Sequence, residues 1–294
     1  MFSLRTGYFI CGFVTGLILL FHFLVSLPDG KLHIIVCDVG QGDATYIRFA
    51  DGSDMLVDGG PNDKVLSCLG KYMPFWDRSI DVVLLTHAEY DHIQGLLSVV
   101  KRYKVGYFVR SAVSQDNEDY RSLLAYIHNH QVQEKMVMSG ERISIGRATV
   151  SVVWPSAEQI AAMSGPGAQV LGHSTESVNE GSVVFWLRYG SFDALFPGDV
   201  SLSLSATHGV KQLADNTVEL LKVPHHGSKF GMDKAFIGWL KPSLAIVSVS
   251  NNNTYGHPSA EIQTLLADEQ VKLLRTDEKG NIEIMSDGKG WFIQ

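Results

Sequence analysis

Cysteine is scarce: Cys11, Cys37 and Cys68 are the three in 294 residues, and no two form a C-x-x-C pair. That excludes a thiolate zinc ribbon and suggests no disulfide framework, so all three read as small apolar side chains buried in a core. Positive charge is also in short supply. With 24 Lys and Arg against 31 Asp and Glu the chain carries a formal charge of −7. Its basic residues are scattered rather than clustered, which argues against tight nonspecific binding to nucleic acid through counterion release. There is no G-x-S-x-G elbow, no Walker-type phosphate loop and no cysteine with an obvious activating partner, so a protein nucleophile is not the chemistry to look for. Neither a fixed-period repeat nor a low-complexity tract occurs.

Long apolar runs are limited to one, residues 8–27, which carries no formal charge. Its length is roughly the 20 residues a helix needs to cross a hydrocarbon core. A cleavable signal peptide has a shorter apolar stretch of about 7–15 residues and a small-residue exit, so residues 1–30 are expected to form an uncleaved membrane anchor, the alternative being a cleaved signal segment and a secreted protein. Arg5 ahead of the run then places the N-terminus in the cytoplasm and the remainder, residues 31–294, outside it as one domain.

After Pro28-Asp29-Gly30 the chain is dominated by short apolar segments that end in polar turns. Strands are predicted over residues 32–36, 44–49, 54–57, 80–86, 182–188, 192–196, 218–223 and 243–249. A helix is expected where Ile93, Leu96, Leu97 and Val100 recur at helical spacing. Residues 111–177 are less regular, with one helix near 120–128, strands around 147–154 and a glycine-rich loop. The last segment has a helix from about residue 258 and closing strands near 271–274 and 282–285.

The chemistry gathers where strands end. Five of the eleven histidines, His87, His92, His225, His226 and His257, lie beside such turns, and loops on a rigid sheet are where binding groups collect. His87, Glu89, Asp91 and His92 alternate along one loop. A tight turn there can aim His87 with Glu89 at one point and Asp91 with His92 at another, giving two adjacent cation sites. Imidazole suits Zn, Mn or Fe, and added carboxylates shift preference toward harder ions such as Mn²⁺. Asp199, at the end of a separate strand, is placed to bridge the pair. Two divalent ions, Mn or Zn, about 3.5–4 Å apart would then activate a water between them.

Taken in order, Asp38-Val39-Gly40-Gln41-Gly42-Asp43-Ala44, Asp58-Gly59-Gly60, Thr86-His87-x-Glu89-x-Asp91-His92, Asn179-x-x-Ser182, Pro197-Gly198-Asp199, Val223-Pro224-His225-His226-Gly227-Ser228, His257-Pro258-Ser259 and Thr276-Asp277-x-x-Gly280 form a specific set. It resembles the metallo-β-lactamase-type hydrolase domain of bacterial DNA-uptake proteins of the ComEC/Rec2 type. The resemblance implies a four-layer αββα sandwich, here preceded by one N-terminal transmembrane helix, and phosphodiester hydrolysis. It also implies that His87 and Glu89 bind one metal and that Asp91 and His92 bind the second. Asp199 would bridge, and one of His225 and His226, preferably His226, would complete the second site. Asp91, Asp199 and His257 are the residues expected nearest the reaction, His257 on metal or on the leaving-group oxygen. Asp58 would orient the metal loop by hydrogen bonds, with Asp38, Asp43, Asn179 and Ser182 also placed around the ligands rather than on the metal.

Two departures qualify the resemblance. Glu89 stands where lactamases have His and the DNA-uptake domains usually Asp, and Asn179 where many relatives have His, which together also argue against β-lactam hydrolysis. The DNA-uptake channels have many spans where this chain has one apolar run, so DNA transport is not expected of it alone. The expected substrate is a phosphodiester, single- or double-stranded DNA, handled outside the cytoplasm. A cell-envelope phosphodiester such as a choline or teichoic-acid ester is the alternative, and a noncatalytic partner-binding module on the same scaffold is another.

Overall fold

Two β-sheets packed face to face, each backed by helices, make up the computed structural model, which describes residues 4–25, 27–113, 117–164, 178–202 and 218–294. The first sheet contains β1 (Leu32–Val36), β2 (Thr45–Arg48), β3 (Asp54–Val57), β4 (Ser79–Leu85), β5 (Lys104–Ser111), β6 (Gln133–Val137), β14 (Ile282–Ser286) and β15 (Trp291–Ile293), in the spatial order β15-β14-β1-β2-β3-β4-β5-β6. The second contains β7 (Arg142–Ile145), β8 (Ala148–Trp154), β9 (Val184–Tyr189), β10 (Phe192–Phe196), β11 (Leu220–Lys222), β12 (Leu244–Val247) and β13 (Lys272–Arg275), in the order β13-β12-β11-β10-β9-β8-β7. In both, a run of parallel strands adjoins a run of antiparallel ones. β3 to β6 are parallel in the first and β10 to β13 in the second.

The period of two along a strand explains the layering. In β4, Val82 and Leu84 enter the core between the sheets, while Val83 and Leu85 face the helices. In β12, Leu244 and Ile246 point inward and Ala245 and Val247 outward. Strands apolar on both faces are those a doubly covered sheet requires, and this is why they read as continuous apolar runs. The first sheet is covered by α2 (Lys64–Tyr72), α3 (Tyr90–Arg102) and α4 (Glu118–Asn129), which contribute Val65, Leu69, Ile93, Leu96 and Leu123. The second is covered by α6 (Lys234–Leu240) and α7 (Ala260–Asp268), through Phe236, Ile237, Ile262 and Leu266. A further helix, α5 (Ala157–Ser164), precedes the glycine-rich loop, whose residues 165–177 lie outside the described residues.

Three expectations are corrected. A helix, α1 (Leu4–Val25), does form, but among the described residues no helix is long and apolar enough to cross a membrane. The transmembrane helix over residues 8–27 and the extracytoplasmic placement that depended on it are therefore withdrawn. The cysteines are not all inert core residues either: Cys37 and Cys68 form a disulfide and Cys11 is exposed. Cys37 follows β1 on the helix-facing side and Cys68 lies on the buried face of α2, so packing α2 on the sheet brings together two residues 31 apart. No spacing rule could reveal that. Finally, α3 begins at Tyr90 and already contains Asp91 and His92, so half of the polar cluster lies in a helical first turn instead of a loop.

The disulfide has a measurable consequence. Closing a loop of this length restricts the unfolded chain, so Cys37→Ser with Cys68→Ser will lower stability by about 2–4 kcal/mol. Urea unfolding of the two proteins, with and without reductant, measures it. Equal midpoints under oxidising conditions would show that the bond contributes nothing.

Candidate metal centre

Four loops converge at one edge of the sandwich, each following the end of a strand. The 38–43 turn follows β1, residues 86–92 follow β4, Pro197-Gly198-Asp199 follows β10, and the 223–228 turn follows β11. Glycine makes the first approach possible: Gly42 has φ +151°, and a Cβ there would stand 2.3 Å from the Asp91 carbonyl oxygen. Asp43, one residue on, donates its backbone N–H to that same carbonyl at 3.1 Å. Thus the first turn is fastened to the start of α3. The 223–228 turn is bent by two successive histidines in left-handed backbone, His225 at φ 47° and His226 at φ 52°. Non-glycine residues adopt that region at a cost which surrounding contacts must offset.

Asp43, His92, Asp199 and His226 are all buried, and one ligand atom from each lies within 4.8 Å of the others. His92 Nε2 is 3.4 Å from Asp199 Oδ1. His226 Nε2 is 3.7 Å from Asp199 Oδ2 and 3.1 Å from Asp91 Oδ2. The His87 ring lies against His92 with centroids 4.1 Å apart and planes tilted by 52°.

The outer nitrogens of these rings are already committed. His92 Nδ1 is 2.8 Å from Asp58 Oδ2, and Asp58 also accepts from the Thr86 N–H at 2.8 Å and from Thr86 Oγ1 at 2.7 Å. Because the Thr86 hydroxyl proton goes to Asp58, its oxygen is left to accept from His87 Nδ1, 3.1 Å away. His226 Nδ1 donates to the Ser248 carbonyl at 3.0 Å. Each of the three imidazoles therefore turns Nε2 inward. His87 Nε2, His92 Nε2 and both carboxylate oxygens of Asp199 are buried without a hydrogen-bond partner. Buried polar atoms are rarely left so. A convergent set of imidazole nitrogens and carboxylate oxygens whose outer atoms are held by hydrogen bonds is what a divalent cation requires.

The protonation pattern without metal carries the same signature. Burial, then His92, pushes His87 down to about 3. Burial opposes charge on His226, but Asp199, Asp43 and Asp91 raise it to about 9. Burial likewise opposes a charge on His92, and Asp199 and Asp58 overcome it, raising His92 well above the ordinary value. Burial works against ionisation of Asp199, yet His92 and His226 hold it well below the usual carboxylate range. Glu89 is pushed up to about 7 by burial and then by the charges of Asp91 and Asp199. Asp91 is held low against its burial by the His226 hydrogen bond and by His92. Protons on His92 and His226 thus balance carboxylates that a cation would balance instead, and binding one would release them.

The remaining expected residues fall around this group. Asp43, expected near the ligands rather than among them, belongs to the buried cluster, but its Oδ1 faces the Nδ1 side of His226 at 3.8 Å. Both its oxygens lie within reach of the buried Lys222 ammonium, at 2.6 and 2.7 Å. Ser182 Oγ donates to the Asn179 carbonyl at 2.7 Å and accepts the Asp199 N–H at 3.3 Å, so this buried pair steadies the Asp199 backbone. Asp38 stays at its own turn, accepting from the Gly40 N–H at 3.3 Å. His225 is half-buried, its ring 6.4 Å from that of His226, and His257 lies beyond it at 5.9 Å. Burial together with His226 and His225 pushes His257 down to about 4.

Sequence reasoning missed three contributors. Lys222 announced itself only as a lone cation in an apolar strand, Ser248 supplies a backbone carbonyl, and Asn117 both caps α4 and donates to the Ala88 carbonyl at 2.6 Å.

The chain is similar to ComE operon protein 3 of Bacillus subtilis (strain 168), with 28% identity over 92% of this chain and 34% of that protein. It is also similar to competence protein ComA of Neisseria gonorrhoeae, with 22% identity over 88% of this chain and 33% of that protein. It thus spans about a third of the length of these curated relatives. Among solved structures it shares its fold with the metallo-beta-lactamase fold protein YhfI from Bacillus subtilis, at a TM-score of 0.56 and 13% identity over 87% of this chain and all of that one. The metallo-beta-lactamase superfamily profile matches residues 37–247, a span that holds every residue of the buried cluster, and the chain belongs to that superfamily.

Proposed function

We propose that this protein is a metal-dependent phosphodiesterase whose substrate is a nucleic-acid strand. The observation that carries the reading is the inward set of unpartnered ligand atoms, His87 Nε2, His92 Nε2 and both oxygens of Asp199. His87 and Glu89 would hold one divalent ion, Asp91, His92 and His226 the other, and Asp199 would join them. A bound pair of such ions lowers the pKa of a shared water and neutralises charge on a phosphoryl group. The chain's own residues set that chemistry up. Asp58, Thr86 and the Ser248 carbonyl fix the histidine rings, and Ser182 steadies Asp199. A substrate phosphate would enter from the side of Glu89 and Asp91, the half-exposed members of the set. The competence-protein relatives favour DNA within the phosphodiester class.

The test is metal analysis of the purified protein followed by turnover on single-stranded DNA, double-stranded DNA, RNA and bis-p-nitrophenyl phosphate. About two divalent ions per chain are expected, with activity lost in EDTA and restored by Mn²⁺ at least as well as by Zn²⁺. A well-folded, metal-free sample whose activity ignores EDTA would overturn the reading.

A further inference from the structure

A file of aromatic rings leads from the buried centre to the surface. From His92 it passes to His226 at 5.5 Å, to His225 at 6.4 Å, to His257 at 5.9 Å and to Tyr255 at 5.7 Å. Tyr255 lies nearly parallel to His257, at 26°, while its own side chain is 72% exposed. The turn that presents the ring is held by hydrogen bonds. The Asn253 side chain donates to the carbonyls of Ser250 and His257 at 2.7 and 2.8 Å and accepts the His257 N–H at 2.8 Å, so the turn carrying both rings is pinned at each end. Two more exposed aromatics adjoin the candidate ligands in sequence: Tyr90 beside Asp91, and Phe230 four residues after His226, at 61% and 72% exposure. The Lys229 ammonium lies 4.8 Å from the centre of the Phe230 ring.

We infer that Tyr255, backed by His257, is a stacking subsite for an unpaired nucleobase of the strand whose phosphodiester is cleaved. This rests on the phosphodiesterase reading and names the form of its substrate. A fixed aromatic face two imidazoles away from His226 offers a base something to stack on. Base–aromatic stacking tolerates any sequence but needs a free base face, which a duplex does not offer. The subsite therefore selects single strands.

The test compares the wild-type protein with Tyr255→Ala and Tyr255→Phe on a single-stranded oligonucleotide and on a base-free deoxyribose-phosphate strand of equal length. Tyr255→Ala is expected to raise KM on the base-bearing strand about tenfold with kcat within about twofold, and to leave the base-free strand unchanged, while Tyr255→Phe behaves as wild type. A 2-aminopurine-labelled strand added in EDTA reports stacking independently of turnover: its fluorescence should be quenched by wild type and by Tyr255→Phe but not by Tyr255→Ala. Equal KM on both strands for wild type, or quenching that survives Tyr255→Ala, overturns the subsite. Failure of the wild-type protein to cleave either strand with Mn²⁺ or Zn²⁺ overturns instead the phosphodiesterase reading, and the fluorescence result then still decides the subsite.

Discussion

On the two-ion phosphodiesterase reading proposed above, Asp199→Ala is expected to cost the centre at least one divalent ion and to lower phosphodiester turnover by orders of magnitude. Both oxygens of Asp199 are buried without a hydrogen-bond partner and face His92 and His226 at 3.4 and 3.7 Å. It lies within 4 Å of the inward Nε2 atoms of both His92 and His226. Two like-charged cations a few ångströms apart repel strongly in a poorly screened site, so removing the anion between them weakens binding of one or both. Asp199→Asn keeps the shape and removes the charge, which separates electrostatics from a cavity. Metal content, circular dichroism and turnover measured side by side decide the matter. Retention of two ions and near-normal turnover in folded Asp199→Ala would show that the centre is not built as proposed.

The second large effect is expected from a residue that touches no metal. Asp58 sits in left-handed backbone at φ 57° and accepts three hydrogen bonds, from the Thr86 N–H, from Thr86 Oγ1 and from His92 Nδ1. One carboxylate therefore sets the His92 tautomer directly and the His87 tautomer through Thr86. Asp58→Ala releases both rings and should cost about 10–100-fold in metal affinity or activity. It also leaves the buried Thr86 N–H unpaired, at about 1–3 kcal/mol of stability. Unlike Asp199→Ala, this variant should still fill with two ions at high metal concentration and recover part of its turnover there. Metal titrations that superimpose on those of the wild-type protein would refute this positioning role.

Much of the architecture was legible because it rests on local rules. Strands buried on both faces are continuous apolar runs, and turns at their ends need Gly, Asp and Pro, so β1, β4, β10 and β11 and the polar segments that follow them could be located before any tertiary contact was known. The ordered motifs likewise singled out His87, Glu89, Asp91, His92, Asp199 and the 225–226 pair as candidates, of which His92, Asp199 and His226 lie in the buried group. What could not be read depends on groups distant in sequence. The Cys37–Cys68 bond exists because α2 packs over the end of β1. The partner of Lys222 is Asp43, 179 residues away, and His226 rather than His225 faces Asp91 and Asp199 because successive left-handed residues turn the two rings apart. The apolar run at residues 8–27 shows the converse error, since composition alone overstated what the described helix can span. Residue type and spacing determine which groups are able to bind a cation. Which of their atoms point at one another, and which buried atoms are left unpaired, is decided only when two sheets close against each other and water is excluded from their shared edge.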